Sequence, residues 1–376
     1  MNLKRALIQN FRAVERCEID FTQPGSLGPR RLTAIVGDNG SGKTTVLQAL
    51  ALTLSLATRR TRRPEELRWH GFLAERLSTL GPTRVEIEVA FEAGEIEATR
   101  IIHGIWQATA PARGSQGSVA PSQLPSVHVV FEGGQVTCPE GEAALHQLRG
   151  MYYLRSLLGK RDVAAHFREV GDVFWFDQYR NLGSSTEGRR SYAREPAAEL
   201  EGAPEPETAI PIEESWTAGV EQLREAMISW WAYHTYPQRD ASRDYIEKLG
   251  PYLDLLFPGT RLAGVAPRET PGLRRPEFYF LFERDGRTYD LAELSSGEQA
   301  VFPLLSEFVR LDIARSIVLV DELELHLHPP QQQALLRALR KLGPDCQFII
   351  TTHSPYLSDV IPSEEIVRLE RGRPCL

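Results

Sequence analysis

One stretch constrains this chain more than any other. Gly37-Asp38-Asn39-Gly40-Ser41-Gly42-Lys43-Thr44 fits G-x-x-x-x-G-K-[ST], with Thr45 following. The apolar run Leu32-Thr33-Ala34-Ile35-Val36 precedes it, and Val46, Leu47, Leu50 and Leu54 follow at helical spacing, so the loop joins a buried strand to a helix. Glycines there let backbone N–H groups turn inward around oxyanions. Lys43 can reach the β and γ phosphates, and the Thr44 hydroxyl can ligate Mg²⁺. A chance glycine-rich turn would explain the loop, but not the strand and helix that flank it.

With 376 residues, 42% hydrophobic and 25% charged, the chain has the balance of a folded globular protein. It has no apolar run of about 18 residues, and Met1-Asn2-Leu3-Lys4-Arg5 leads into a strand rather than a signal peptide, so no membrane is expected and the cytoplasm is the expected location. Cys17, Cys138, Cys346 and Cys375 lack any C-x-x-C spacing, which argues against a disulfide framework and a zinc site. A net charge of −7 gives no global attraction to nucleic acid, leaving DNA or RNA contact to a local patch.

In chain order, residues 5–9 and the alternating Cys17, Ile19 and Phe21 read as a hairpin with Arg12 at its turn. Arg59-Arg60-Thr61-Arg62-Arg63 is either a solvated helix end or a phosphate-backbone contact. Val85, Ile87, Val89 and Phe91 alternate as a strand, and Ile96 to Ile102 after Ala93-Gly94 read as its antiparallel partner; Val127 to Phe131 and Gln135 to Thr137 read as a second hairpin. Helical pattern covers 144–167, followed by the strand-like Val173-Phe174-Trp175-Phe176 and then Gln178. Residues 183–213 shift to Ser, Glu, Pro and Ala without periodicity, the composition of a mobile linker. Residues 216–256 read as helical, with Trp230 and Trp231 on a packing face rather than a base-stacking platform. Phe278, Phe280 and Phe282 form a strand that turns at Asp285-Gly286.

A second constellation begins at Leu294-Ser295-Ser296-Gly297-Glu298-Gln299. Ser295 and Glu298 make a capping box, and a glycine-containing helix start offers free N–H groups to an anion. Pro303 predicts a local kink in that helix. The apolar run Ile317 to Val320 delivers Asp321 and Glu322 to a strand's carboxyl end, where open α/β sheets bind ligands. There Asp321 can hold Mg²⁺ and Glu322 can orient and deprotonate water; the alternative is that the two acids only cap the next helix. Phe348 to Thr352 is another buried strand, and it brings His353 to the same edge. His326 and His328 lack an evident third metal ligand.

These motifs, in this order, resemble the ATP-binding-cassette ATPases: phosphate loop, signature (Leu294 to Gln299), Walker B strand with its acids, a D-loop-like Glu324 to Pro329, and a switch histidine, His353. Ile8-Gln9-Asn10-Phe11-Arg12, His326-Leu327-His328-Pro329 and Thr352-His353-Ser354-Pro355 resemble the RecF/SMC branch. Within it they resemble the short AAA-type ATPases of bacterial defence: Septu, retron-associated and overcoming-lysogenization-defect proteins. About twenty residues follow His353, too few for the Toprim nuclease domain of the last group. Leu323 replaces the proline usual after the Walker B acids, and Ser296 replaces the second signature glycine.

The resemblance implies an α/β ABC-ATPase head: a mixed central sheet flanked by helices, with an antiparallel β lobe and a helical insertion. The expected divisions are an N-terminal lobe at 1–182, a flexible linker at 183–213, a helical insertion at 214–262 and a C-terminal lobe at 263–376, forming one composite domain. It implies ATP and Mg²⁺ as ligands, with Lys43, Glu322 and His353 catalytic and Thr44, Asp321 and Gln178 around the metal. Arg12 is expected at the nucleotide, as are Ser295, Gly297 and Glu298, which reach the nucleotide of a second copy so that ATP joins a homodimer. A separate effector such as a nuclease is the expected partner. A membrane transporter's nucleotide-binding subunit and a non-hydrolysing scaffold are the alternatives.

Overall fold

The computed structural model describes residues 1–26, 28–67, 69, 72–78, 81–109, 119–157, 161–178, 220–268 and 277–370. The chain opens with the hairpin β1 (Asn2–Phe11) and β2 (Val14–Asp20), in which Ile8 faces Cys17 and Arg12 takes the turn at φ 52°. β3 (Leu32–Val36) feeds the phosphate loop and α1 (Lys43–Ala57) follows it. β4 (Arg84–Ala90), β5 (Ser126–Glu132) and β6 (Gln135–Thr137) complete an antiparallel sheet ordered β2-β1-β4-β5-β6. Gly133 and Gly134, both at positive φ, make the β5–β6 turn.

Residues 96–102 are not a strand. They lie in α2 (Ala93–Thr109), and the partner expected of them on β4 is β5, with Val85 opposite Phe131. Glu95, Ala98, Thr99, Ile102 and His103 are the buried positions, a spacing of three and four that only a helix satisfies. The helical region expected at 144–167 is divided into α3 (Glu142–Gln147), α4 (Gly150–Ser156) and a 3₁₀ segment (Arg161–Arg168). α2 and α4 share a small core with Tyr153.

β7 (Val173–Phe176) then enters the central sheet. The insertion supplies α5 (Val220–His234) and α6 (Tyr245–Leu256), while the linker region 183–213 lies outside the described residues. The single helical region expected at 216–256 is broken between His234 and Asp244, the N-cap of α6, which also accepts from His234 and Arg239. Leu223 and Met227 of α5 are buried, and Trp231 meets Phe280 edge-on, so the tryptophans do pack. β8 (Arg261–Arg268), β9 (Glu277–Arg284) and β10 (Arg287–Asp290) form a three-stranded antiparallel sheet. α7 (Ser296–Leu311), β11 (Ile317–Val320), α8 (Pro329–Leu342), β12 (Gln347–Thr352), α9 (Pro355–Ser358) and β13 (Ile366–Arg368) finish the described chain, α7 continuing through Pro303.

The central sheet is parallel throughout, ordered β13-β3-β12-β11-β7, so antiparallel and parallel strands occupy separate sheets rather than mixing in one. Strand alternation gives it two apolar faces. Ile35, Ile317, Leu319, Ile349, Val173 and Trp175 face α1 and the antiparallel lobe; Ala34, Val318, Val320, Ile350, Phe174 and Phe176 face the helices of the C-terminal half. α1 is therefore covered on all sides, and its residues from Val46 to Ala57 are all buried.

At the amino end of β7, the buried Asp172 carboxylate receives Arg60 Nε at 2.9 Å on one oxygen and Arg60 Nη2 at 2.9 Å on the other, with Arg155 also bound to it. Arg60, part of the basic cluster, is thereby committed to structure. Burial pushes the Asp172 carboxyl up, but Arg60 and Arg155 outweigh it and hold it below the ordinary aspartate range. The contribution to stability is thus full at neutral pH and is lost only as pH falls below that range. Asp172→Ala leaves two guanidiniums without their carboxylate and is expected to cost about 3–5 kcal/mol in urea unfolding at pH 7; an unchanged midpoint would contradict this.

Candidate active site

Register fixes the site. Val36 pairs with Thr352, Ile350 with Val320, and Val320 with Phe176, so four neighbouring parallel strands point to one edge, with β3 and β12 running two residues past the ends of β11 and β7. Stepping off those ends come Gly37 from β3, His353 from β12, Asp321 from β11 and Gln178 from β7. The carboxyl edge of a parallel sheet thus collects the phosphate loop and three further candidates.

In the loop, Gly40 (φ 80°) and Gly42 (φ 97°) hold left-handed backbone that residues with a Cβ rarely adopt. Gly37 is needed for space: a Cβ there would stand 2.5 Å from the Leu369 carbonyl oxygen and 2.7 Å from Ser41 Oγ. Asp38, Asn39 and Gly40 are exposed, whereas Lys43 is buried and donates to the Gly37 and Asp38 carbonyls at 2.7 and 3.0 Å. Ser41 Oγ is buried with no partner among the described residues. Thr45 is half-buried in the first turn of α1.

Asp321 is wholly buried and joins three elements. Thr44 Oγ1 donates to its Oδ2 at 2.8 Å, Thr351 Oγ1 donates to its Oδ1 at 2.6 Å, and its own N–H binds the Phe176 carbonyl at 2.8 Å. Thr351 Oγ1 also accepts the Glu322 N–H at 2.8 Å, and Glu322 sits in left-handed backbone at φ 45°. Burial first, then the negative charges of Asp321 and Glu324, push the Glu322 carboxyl above the ordinary glutamate range; His353 and Lys43 pull the other way. A carboxylate raised toward working pH is suited to accepting a proton. His353 is half-exposed, with Nδ1 3.0 Å from Glu324 Oε1.

The signature residues stand on a different element. Ser295 caps α7, its side chain and Glu298 forming both halves of the capping box, and it is exposed. Gly297 is packed so closely that a Cβ would lie 3.0 Å from the His326 carbonyl oxygen. Glu298 points inward: one carboxylate oxygen binds Ser295 and the other Arg284, so it orders the signature rather than facing solvent. Arg12 donates to Gln48, one turn along α1 from Thr44, which puts the guanidinium on the flank of the phosphate loop.

Sequence reasoning missed Thr351, the residue that ties Asp321 to Glu322. Its signal was two adjacent threonines ending an otherwise apolar buried strand, since a buried hydroxyl requires a partner.

The model described as "AAA domain, putative AbiEii toxin, Type IV TA system" matches residues 157–359, more than half of the chain, and a second AAA-domain model matches residues 6–117. The chain belongs to this AAA-domain family. It is similar to the Retron Ec83 probable ATPase of Escherichia coli, 33% identical over 113 residues that are 27% of this chain and 21% of that protein. It is also similar to the Septu protein PtuA of Bacillus thuringiensis, 33% identical over 61 residues that are 16% of this chain and 15% of that protein. The matches thus cover about a fifth or less of these relatives. An SMC head solved bound to the C-winged helix domain of ScpA covers 98% of this chain and 94% of its own at 15% identity, with a TM-score of 0.51, so this AAA-family chain has the SMC-head fold.

The crowding at Gly37 gives a test. Gly37→Ala must displace the loop, and it is expected to weaken nucleotide binding at least about tenfold, roughly 1.4 kcal/mol, in a fluorescent-nucleotide titration. Wild-type affinity would contradict the geometry drawn for the loop.

Proposed function

We propose that this chain is a Mg²⁺-dependent ATPase whose heads pair on ATP and control a separate effector, such as a nuclease acting on nucleic acid, in phage defence or DNA repair. The observation that carries the proposal is the 2.8 Å contact between Thr44 and Asp321. It joins the phosphate loop to the strand bearing Glu322, so phosphate binding and water activation share one edge. The donor set suits magnesium, being oxygen throughout: Thr44 and Asp321 would hold it, with Gln178 at the adjacent strand end. When bound, the ion supplies charge to offset the β and γ phosphates.

The chain's own residues divide the remaining work. Inward N–H groups of residues 37–44 cradle phosphate oxygens, and the Lys43 ammonium, now resting on two neutral carbonyls, turns to them. Glu322 orients a water and takes its proton as that oxygen bonds to the γ phosphorus and the bond from the γ phosphorus to the β–γ bridging oxygen breaks, ADP leaving with the electron pair. His353 and Lys43 offset the charge that develops. Gly297, packed at the start of α7, offers its N–H and the positive end of the helix to the nucleotide of a second copy, beside the exposed Ser295 whose own N–H is held by Glu298, while Arg12 flanks the loop.

The retron and Septu relatives support the defence setting, and the SMC head with its bound ScpA domain supports a partner protein. Among the described residues no helix is long and apolar enough to cross a membrane, which gives the transporter alternative no support. A buried, held Asp321 beside Glu322 favours hydrolysis over a passive scaffold.

Glu322→Gln keeps the shape and removes the base. It is expected to bind ATP as the parent does, to lose at least about a hundredfold in turnover, and to accumulate as an ATP-bound dimer in light scattering. Unchanged turnover would refute the role of Glu322, and a monomer at saturating ATP would refute the pairing.

A further inference from the structure

His353 has a holder that the roles above leave out. Glu324 Oε1 accepts the backbone N–H of His353 at 2.6 Å and lies 3.0 Å from the imidazole Nδ1. The Glu324 side chain is only 6% exposed whereas His353 is 47% exposed, so the carboxylate lies beneath the ring and the ring faces out. The residue after His353 is tied to the same segment: Ser354 Oγ donates to Gln332 Oε1 at 2.6 Å, and Gln332 Nε2 donates to the Leu327 carbonyl at 2.9 Å. The 324–332 segment therefore grips the histidine loop at two successive residues. The second Glu324 oxygen is buried without a partner among the described residues, a cost of about 1–3 kcal/mol that stability alone does not explain.

We propose that Glu324 is the positioning residue for His353. By accepting from Nδ1–H and from the backbone N–H together, it fixes the plane of the ring, so that in the ring protonated on both nitrogens Nε2–H is the donor that meets a phosphoryl oxygen. Glu322, the adjacent acid at the edge, is then left for water. The inference rests on the reading of His353 as a group that acts on ATP, and it adds to that reading what orients it.

The test is a double-mutant cycle on kcat for ATP, combining His353→Ala with Glu324→Ala and with the isosteric Glu324→Gln, which keeps side-chain volume and an acceptor oxygen. With His353 present, Glu324→Ala is expected to lower kcat by about tenfold or more and Glu324→Gln by less, with nucleotide affinity in direct titration unchanged for both. With His353 already alanine, neither is expected to lower kcat further. A Glu324 effect of equal size in both backgrounds, a loss seen in affinity instead of kcat, or no loss in either variant would overturn the proposal. His353→Ala with parental kcat would instead overturn the underlying role of His353, so the two failures are distinguishable.

Discussion

Taking a carboxylate entirely out of water is unfavourable unless donors surround it. Asp321 meets that condition with hydroxyls from two other elements, Thr44 at the start of α1 and Thr351 on β12, while its backbone N–H holds β7. Three pieces of chain distant in sequence must therefore be in register before this one side chain is satisfied, and a fourth, β7, before its backbone is. The Thr351 hydroxyl extends the arrangement to Glu322, so the placement of the acid beside the buried one follows from the same hydrogen-bond network. The phosphate loop, Asp321 and Glu322 are consequently geometrically interdependent.

The rest of the fold makes that edge possible. A parallel sheet needs both faces covered, and here α1 with the antiparallel lobe covers one while α5 to α8 cover the other. α1 is buried all round because it is the layer between two sheets, which explains a helix whose apolar residues form no single stripe. The C-terminal half adds the signature at the start of α7, packed on the 326–331 turn through Gly297. That turn leads back through Gln332 to Ser354, so the signature and the histidine loop share a support.

Much of this was legible in the sequence because it is local chemistry. The phosphate loop, the Ser295–Glu298 capping box, the acids after an apolar strand and His353 after another are each written within a few residues, and strand order then brings them together. What was not legible depends on partners far along the chain. Ile96, Ile101 and Ile102 carry strand-like side chains, yet β4 pairs with β5, and the helical spacing of Ala98 and Ile102, which share a core with Tyr153, decides the outcome. Arg60 reads as a surface cation until Asp172, more than a hundred positions away, proves to be its partner. The work of Thr351 and Glu324 likewise depends on contacts across strands and loops that no spacing reveals.

The most direct test of an ATP-hydrolysing edge built around Asp321 is single-turnover phosphate release with magnesium, comparing the parent with Asp321→Asn, which keeps the side-chain shape and removes the charge. The account predicts that the folded variant still binds nucleotide but releases phosphate at least about a hundredfold more slowly. Release at the parent's rate would contradict it.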